Sequence, residues 1–308
     1  MVERLAPTRV HRFYRGGALI GRLRGQDEED GSLPEDWIGS VTQANNPGLD
    51  EGLSRLADGR LLKEVIEADP EHWLGRAHVE RFGASTGLLV KLLDAAERLP
   101  VHAHPDRSFA RRYLGSPFGK TETWLVVATR GAEGEVWVGL REPVDAAVYR
   151  GWIESQDDGA LLGSLNHVSV RPGDVVFVPA GVPHAIGAGA LIAELQEPTD
   201  FSIVCEWSGF PIDPAAADLG LGWDVALDAL DLEAHTPVLR LPEEAKEFFW
   251  ADEIPEPAGR FAVLLVLEGE GKLDGQPAGA GDAFVLPASA TRLELAGDLR
   301  LVRCLAPE

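Results

Sequence analysis

Cysteine is almost missing from this chain. Cys205 and Cys304 are the only two in 308 residues, far apart and in no CxxC pattern. A disulfide framework is therefore not expected, and the usage suits a reducing cytoplasm. Basic residues are also scarce: 28 Lys and Arg stand against 50 Asp and Glu, a formal net charge of −22. That balance opposes binding to nucleic acid or to an anionic membrane, both of which need a basic surface. An anionic substrate would need a local positive pocket inside it. No long apolar run is present. The first residues include Glu3, Arg4, Arg9 and Arg12 rather than a signal-peptide core, and nothing approaches a membrane-spanning length.

What is present is the composition of a soluble globular protein, 45% apolar and 25% charged, with enough length for two lobes. Three short stretches carry the chemistry: LPVHAHP at 99–105, GKTETW at 119–124 and GDVVFVPAGVPHAI at 173–186. Each reads as a strand, where residues i and i+2 share a face. His102 and His104 then point the same way, as do Lys120 and Glu122. Imidazole and carboxylate are ordinary ligands of a divalent ion of the zinc type. Taken singly, an HxH pair is more often two half-exposed histidines, and KTE a solvated strand edge. Three independent pieces placing ligand-type side chains on strands of one barrel favour a single site of His102, His104, Glu122 and His184.

Along the chain, Val10 to Tyr14 and Ala18 to Leu23 read as strand-like, followed by a charged, mobile turn at Gln26 to Gly31. Leu61 to Ala68 reads as a short amphipathic helix. Leu88 to Leu93 is a buried strand interrupted only by Lys91, which either has a partner or snorkels to the edge. Thr123 to Ala128 and Glu135 to Leu140 read as a pair across the turn Arg130 to Gly134. Asp145 to Leu162 contains a helix. Strands follow from His167, at Val175 to Val178, Leu191 to Leu195 and Phe201 to Trp207. Asp213 to Leu232 is a short helical connector. An internal repeat links Gly173-Asp174, Pro179 and His184 to Gly281-Asp282, Pro287 and Arg292. The fold class expected is mainly β, two jelly-roll lobes with a short helical insertion. Residues 1–212 form the metal-binding lobe, 213–236 the connector and 237–308 a degenerate, metal-free lobe.

The chain resembles the cupin superfamily and, more narrowly, the type I mannose-6-phosphate isomerases. The resemblance rests on LLVKLLDAAERL, the HP that follows, GKTETW, PGDVVFVPAGVPHAIGAG and ELQEPTD, in that order. It implies a cupin fold and metal ligands at His102, His104, Glu122 and His184, with zinc as the ion. It also implies catalytic positions at Lys120, Glu194 and Asp200, and a sugar or sugar-phosphate substrate. The family usually has Gln where this chain has His102, a change that keeps a neutral ligand. Pro100 stands where a Ser is common, and Val204 where the family carries a catalytic Arg. The isomerase class follows from the resemblance, and the phosphate end of the substrate stays open.

An aldose–ketose isomerase moves a proton between C1 and C2 through an enediol. It needs a Lewis acid and a base of suitable pKa. Glu194, Asp200 and Lys120 are the candidates for the base. Glu197 is a weaker one, better read as paired with a cation. Three classes remain: an isomerase of mannose 6-phosphate or of a neutral or differently acidic sugar, a cupin oxygenase using iron, and a sugar-binding cupin. Any cation that replaces the missing Arg is to be sought among Arg22, Arg24, Arg107, Arg111 and Arg112.

Overall fold

Alternating side-chain character organises the central sheet. In Leu89–Ala95, Val90 and Leu92 face one way while Lys91, Leu93 and Ala95 face the other. Ala190–Gln196 does the same, with Leu191, Ala193 and Leu195 on the first face and Ile192, Glu194 and Gln196 on the second. The computed structural model describes all 308 residues. In it these strands form an antiparallel six-stranded sheet in the order Arg9–Val10, Glu35–Ile38, Leu89–Ala95, Ala190–Gln196, Glu122–Thr129, Val175–Val178. A five-stranded sheet covers the second face, in the order Ile203–Val204, His102–Ala103, His184–Ile186, Gly134–Leu140, Leu165–Val170. Trp124, Val126, Val136, Val138, Val176 and Ile192 fill the space between them. The remainder of that barrel interior is polar and holds the residues described below.

The first face packs on another antiparallel sheet, built from Glu3–Arg4, Ala283–Leu286, Ala262–Leu273, Leu295–Leu305 and Trp250–Asp252, with Gln276–Gly279 on the side. Val90, Leu92 and Leu191 meet Val263, Leu265, Val285 and Val302 there. Each such fully buried side chain contributes roughly 1.5–3 kcal/mol relative to exposure, which holds the lobes together. Because Glu3–Arg4 pairs with Ala283–Leu286, the amino-terminal strand belongs to the sheet of the carboxy-terminal half.

The repeat has a structural basis. Asp174 accepts the backbone N–H of Arg171, and Asp282 that of Gly279, each three residues back. Gly173 donates to the Val126 carbonyl and Gly281 to that of Val266, both from positive φ. The same turn thus feeds Val175–Val178 and Ala283–Leu286. Beyond it the copies diverge: His184 is buried, whereas Arg292 lies at the surface beside Glu294.

Four local readings need correction. Only Arg9–Val10 is a strand where Val10 to Tyr14 was expected, and only Ile203–Val204 where Phe201 to Trp207 was. Ala18–Leu23 is a helix, not a strand. The buried Asp94 carboxylate accepts the N–H groups of Gly17 and Leu19 at 2.8 Å each, so a distant residue organises the helix start. Glu122–Thr129 and Gly134–Leu140 are not a hairpin. The first pairs with Ala190–Gln196 and Val175–Val178, the second with His184–Ile186 and Leu165–Val170. The turn between them carries the chain from one sheet to the other. No helix is long and apolar enough to cross a membrane.

Candidate metal centre

Three imidazoles converge at the polar end of the barrel. His102 lies directly across from His184 in the five-stranded sheet, and His104 follows two residues on. Ring centroids are 4.2 Å apart for His102–His184, 4.9 Å for His104–His184 and 5.0 Å for His102–His104. One ligand atom from each lies within 4.8 Å of the others, a group able to hold a metal ion. Each Nδ1 sits 2.8 Å from a backbone carbonyl, that of Pro100, Phe201 or Val182. Nδ1–H therefore donates outward, and each Nε2 keeps its lone pair for the centre. Gly181 sets part of this geometry: at a φ of 88° its N–H reaches the His104 carbonyl at 2.7 Å.

Glu122, the first residue of its strand, brings its carboxylate to the same point. Oε2 is 3.2 Å from His104 Nε2, and Oε1 is 3.3 Å from His184 Nε2. Glu122 Oε2 and His184 Nε2 are buried without an aligned hydrogen-bond partner. Orphaned buried acceptors of this kind call for an unseen partner. Burial, more than any charge, holds the three histidines neutral: His104 is pushed down to about 3, with Lys120 as the second cause. For Glu122 burial acts upward, but Lys120, His104 and His184 outweigh it and keep the carboxyl well below its ordinary range. Neutral imidazoles and an ionised carboxylate are the forms that bind a divalent cation.

Lys120 Nζ lies 2.9 Å from His104 Nε2 and 3.3 Å from Glu122 Oε2. Gly119 makes this possible. A Cβ there would stand 2.5 Å from the Pro105 carbonyl oxygen and 2.6 Å from the Asp106 carbonyl carbon. Gly119→Ala is expected to lower stability by about 1–3 kcal/mol through overpacking. Urea unfolding measures this, and a lowered metal stoichiometry would accompany the displaced Lys120.

Glu194 faces the barrel interior from the neighbouring strand. Gln196, two residues on, pairs across from Glu122. Burial first, and the Glu122 charge second, raise the Glu194 carboxyl to about 7 against the pull of Lys91 and Lys120. Lys91 has partners rather than an exit: Glu194 at 3.4 Å and Glu35 at 3.9 Å. Asp200 is engaged on all sides, taking Arg12 at 3.0 and 3.2 Å and the Asn45 N–H at 2.9 Å. Glu197 points away from the centre. It accepts Arg107 Nε at 2.5 Å and the Thr121 N–H at 3.0 Å.

Lys91, Lys120, Glu122, Glu194 and Asp200 line a cavity of about 450 Å³ that opens beside His102. Of the five arginines expected to supply a replacement cation, none lines it. Arg22 and Arg24 border a separate cavity against the carboxy-terminal sheet, and Arg107 is tied to Glu197 and Glu247. The guanidinium present is Arg12, which lies in a coil. Its partner Glu35 holds its carboxyl at about 2, because Arg12 and Lys91 overcome the upward effect of burial. Lys91 in its apolar run, with Glu194 and Asp200, marked this network in the sequence. Nothing local marked Arg12.

No family model matches the chain. In sequence, the mannose-6-phosphate isomerase of Streptococcus mutans is 32% identical over 197 residues, 63% of this chain and 57% of that protein. The mannose-6-phosphate isomerase ManA of Bacillus subtilis is 31% identical over 171 residues, 54% of this chain and 49% of that one. The chain spans about half the length of the curated relatives it matches. In structure, the crystallised mannose 6-phosphate isomerase of Bacillus subtilis superposes with a TM-score of 0.74 at 24% identity, covering 98% of this chain and 99% of that one. A mannose 6-phosphate isomerase bound with zinc and yttrium gives 0.70 at 17% identity, with full coverage of both chains. The resemblance carried by the motifs thus holds, and the chain is a relative of the mannose-6-phosphate isomerases that shares their fold over its whole length.

Proposed function

We propose that the protein is a metal-dependent aldose–ketose isomerase that interconverts the skeleton of mannose, the sugar whose 6-phosphate its relatives are named for, with that of fructose, the matching ketose. One observation carries this. Three imidazoles, His104 and His184 buried and His102 half-buried, each fixed through Nδ1, and the Glu122 carboxylate converge on one point beside a cavity whose wall raises the Glu194 carboxyl to about 7. The orphaned Glu122 Oε2 and His184 Nε2 fit an ion held by His102, His104, Glu122 and His184, and the nitrogen–oxygen donor set suits zinc. When bound, such an ion supplies Lewis acidity toward the sugar oxygens at C1 and C2. Glu194 takes the proton from C2 of the open-chain aldose and returns it at C1, while the O2 hydroxyl proton passes to O1. Lys120, held beside Glu122, lends positive charge to the oxygen on which the enediol's negative charge gathers. Asp200 acts through Arg12, which it orients at the cavity wall.

The same reading places the ion in the lobe of residues 1–212, joined by the connector 213–236 to a second lobe, 237–308, that binds none. One equivalent of zinc per chain is expected from elemental analysis. The buried free thiols of Cys205 and Cys304 accord with a cytoplasmic setting. The deciding experiment incubates zinc-loaded protein with aldoses in deuterated water and reads C1 and C2 by NMR. Deuterium at either carbon, with ketose formed, is the expected result. Zinc-loaded protein that binds sugar without exchange would instead be a binding protein, and iron with oxygen uptake would mark an oxygenase.

A further inference from the structure

We infer that the sugar accepted by this site is uncharged at its far end, an open-chain aldose without a phosphate. The inference rests on the isomerase reading and concerns the wall of the cavity away from the histidines. Every cation lining that cavity already faces carboxylate. Arg12 places Nε 3.0 Å from Glu35 and Nη2 3.0 Å from Asp200. Lys91 lies between Glu194 and Glu35, and Lys120 against Glu122. His11, at the rim, is held by Glu51 at 2.6 Å. With Glu122 assigned to the ion, the other lining carboxylates, Glu35, Glu194 and Asp200, equal Arg12, Lys91 and Lys120 in number, so the wall has no spare cation for a phosphate. A phosphate dianion would have to break one of these pairs and leave a buried carboxylate beside it uncompensated.

The remaining wall offers no replacement cation. Val204 sits directly across from His102 on the adjoining strand, so both side chains lie on the same face. Its own N–H is bonded to the Ala217 carbonyl at 2.8 Å. Pro100, Ile212, Ala216 and Leu219 continue this surface with carbon. The Asn46 side-chain amide donates to the His11 carbonyl and to Glu51. Carboxylates accept hydrogen bonds from hydroxyl groups, and a sugar chain supplies hydroxyl donors, whereas an ionised phosphate supplies only acceptors. The carboxylates and the apolar wall together match a neutral polyol.

Two measurements on the zinc-loaded protein test this. Titration calorimetry compares mannitol with mannitol 1-phosphate, inert open-chain analogues of the two substrate types. Steady-state kinetics compares mannose with mannose 6-phosphate. The neutral member of each pair is expected to be favoured by about tenfold or more, the scale of one unmet charge interaction. Val204→Arg is expected to shift both ratios toward the phosphorylated member by about tenfold. Equal or tighter binding of mannitol 1-phosphate by the wild-type protein overturns the inference, as does the absence of heat with either polyol. The isomerase reading fails separately, through absence of exchange in deuterated water, whichever polyol binds.

Discussion

His184→Ala is expected to lose metal and turnover together. The imidazole is buried, Val182 fixes its Nδ1–H, and Nε2 faces Glu122 at 3.3 Å with no aligned partner of its own. Alanine removes that donor and leaves the space to water. His102, His104 and Glu122 would remain, but the position opposite His102 would be open. An ion that binds only the folded protein, at a thousandfold excess over its Kd, stabilises by about 4.1 kcal/mol. At roughly 2 °C per kcal/mol for a chain of this size, zinc should raise the wild-type Tm by about 8 °C. In the variant that rise should nearly vanish, because the thermal shift reports the ion rather than the chemistry. His102→Gln keeps a neutral ligand at its position and should retain most of the shift. Full zinc occupancy in His184→Ala would remove His184 from the ligand set.

The parts of this site that could be read in advance are those governed by local periodicity. HxH and KxE bring alternate side chains of an extended segment to one side, although the strands themselves take in only His102 and Glu122, and the PAGVPH corner needs a left-handed Gly181. The repeat was equally readable, because Asp174 and Asp282 build the same turn within three residues. What escaped reading depends on contacts between distant segments. The helix Ala18–Leu23 begins on the Asp94 carboxylate. The strands Glu122–Thr129 and Gly134–Leu140 looked like a hairpin because only their separation was visible, not the better partners each finds elsewhere. Arg12 sits in irregular chain and is defined by Glu35 and Asp200, one of them 188 positions away. No local pattern encodes such a pairing. Val204 could be identified as a departure from the family, whereas its apolar surroundings required the fold.

Glu194→Gln is expected to lower kcat by about 10²–10⁴, the usual contribution of a positioned general base, and to change the pH profile. The substitution keeps shape and hydrogen-bonding capacity but cannot accept the C2 proton. Metal content should be unaltered, which separates this effect from that of His184→Ala. The sign of the pH dependence follows from the environment. Burial and the Glu122 charge raise the Glu194 carboxyl to about 7, so its basic form is the minor one below that pH. Wild-type activity should therefore climb about tenfold per pH unit on the acid side and level off once the carboxylate is ionised. A divalent cation at the neighbouring imidazoles favours the ionised form, so the limb in the zinc-loaded enzyme should lie at or below about pH 7, not above it. Lys91 exerts the same pull from the other side at 3.4 Å. Removing its charge in Lys91→Met should move the limb toward higher pH, while Glu194→Gln abolishes it. A limb that survives unchanged in Glu194→Gln would transfer the role of base to Asp200 or Lys120.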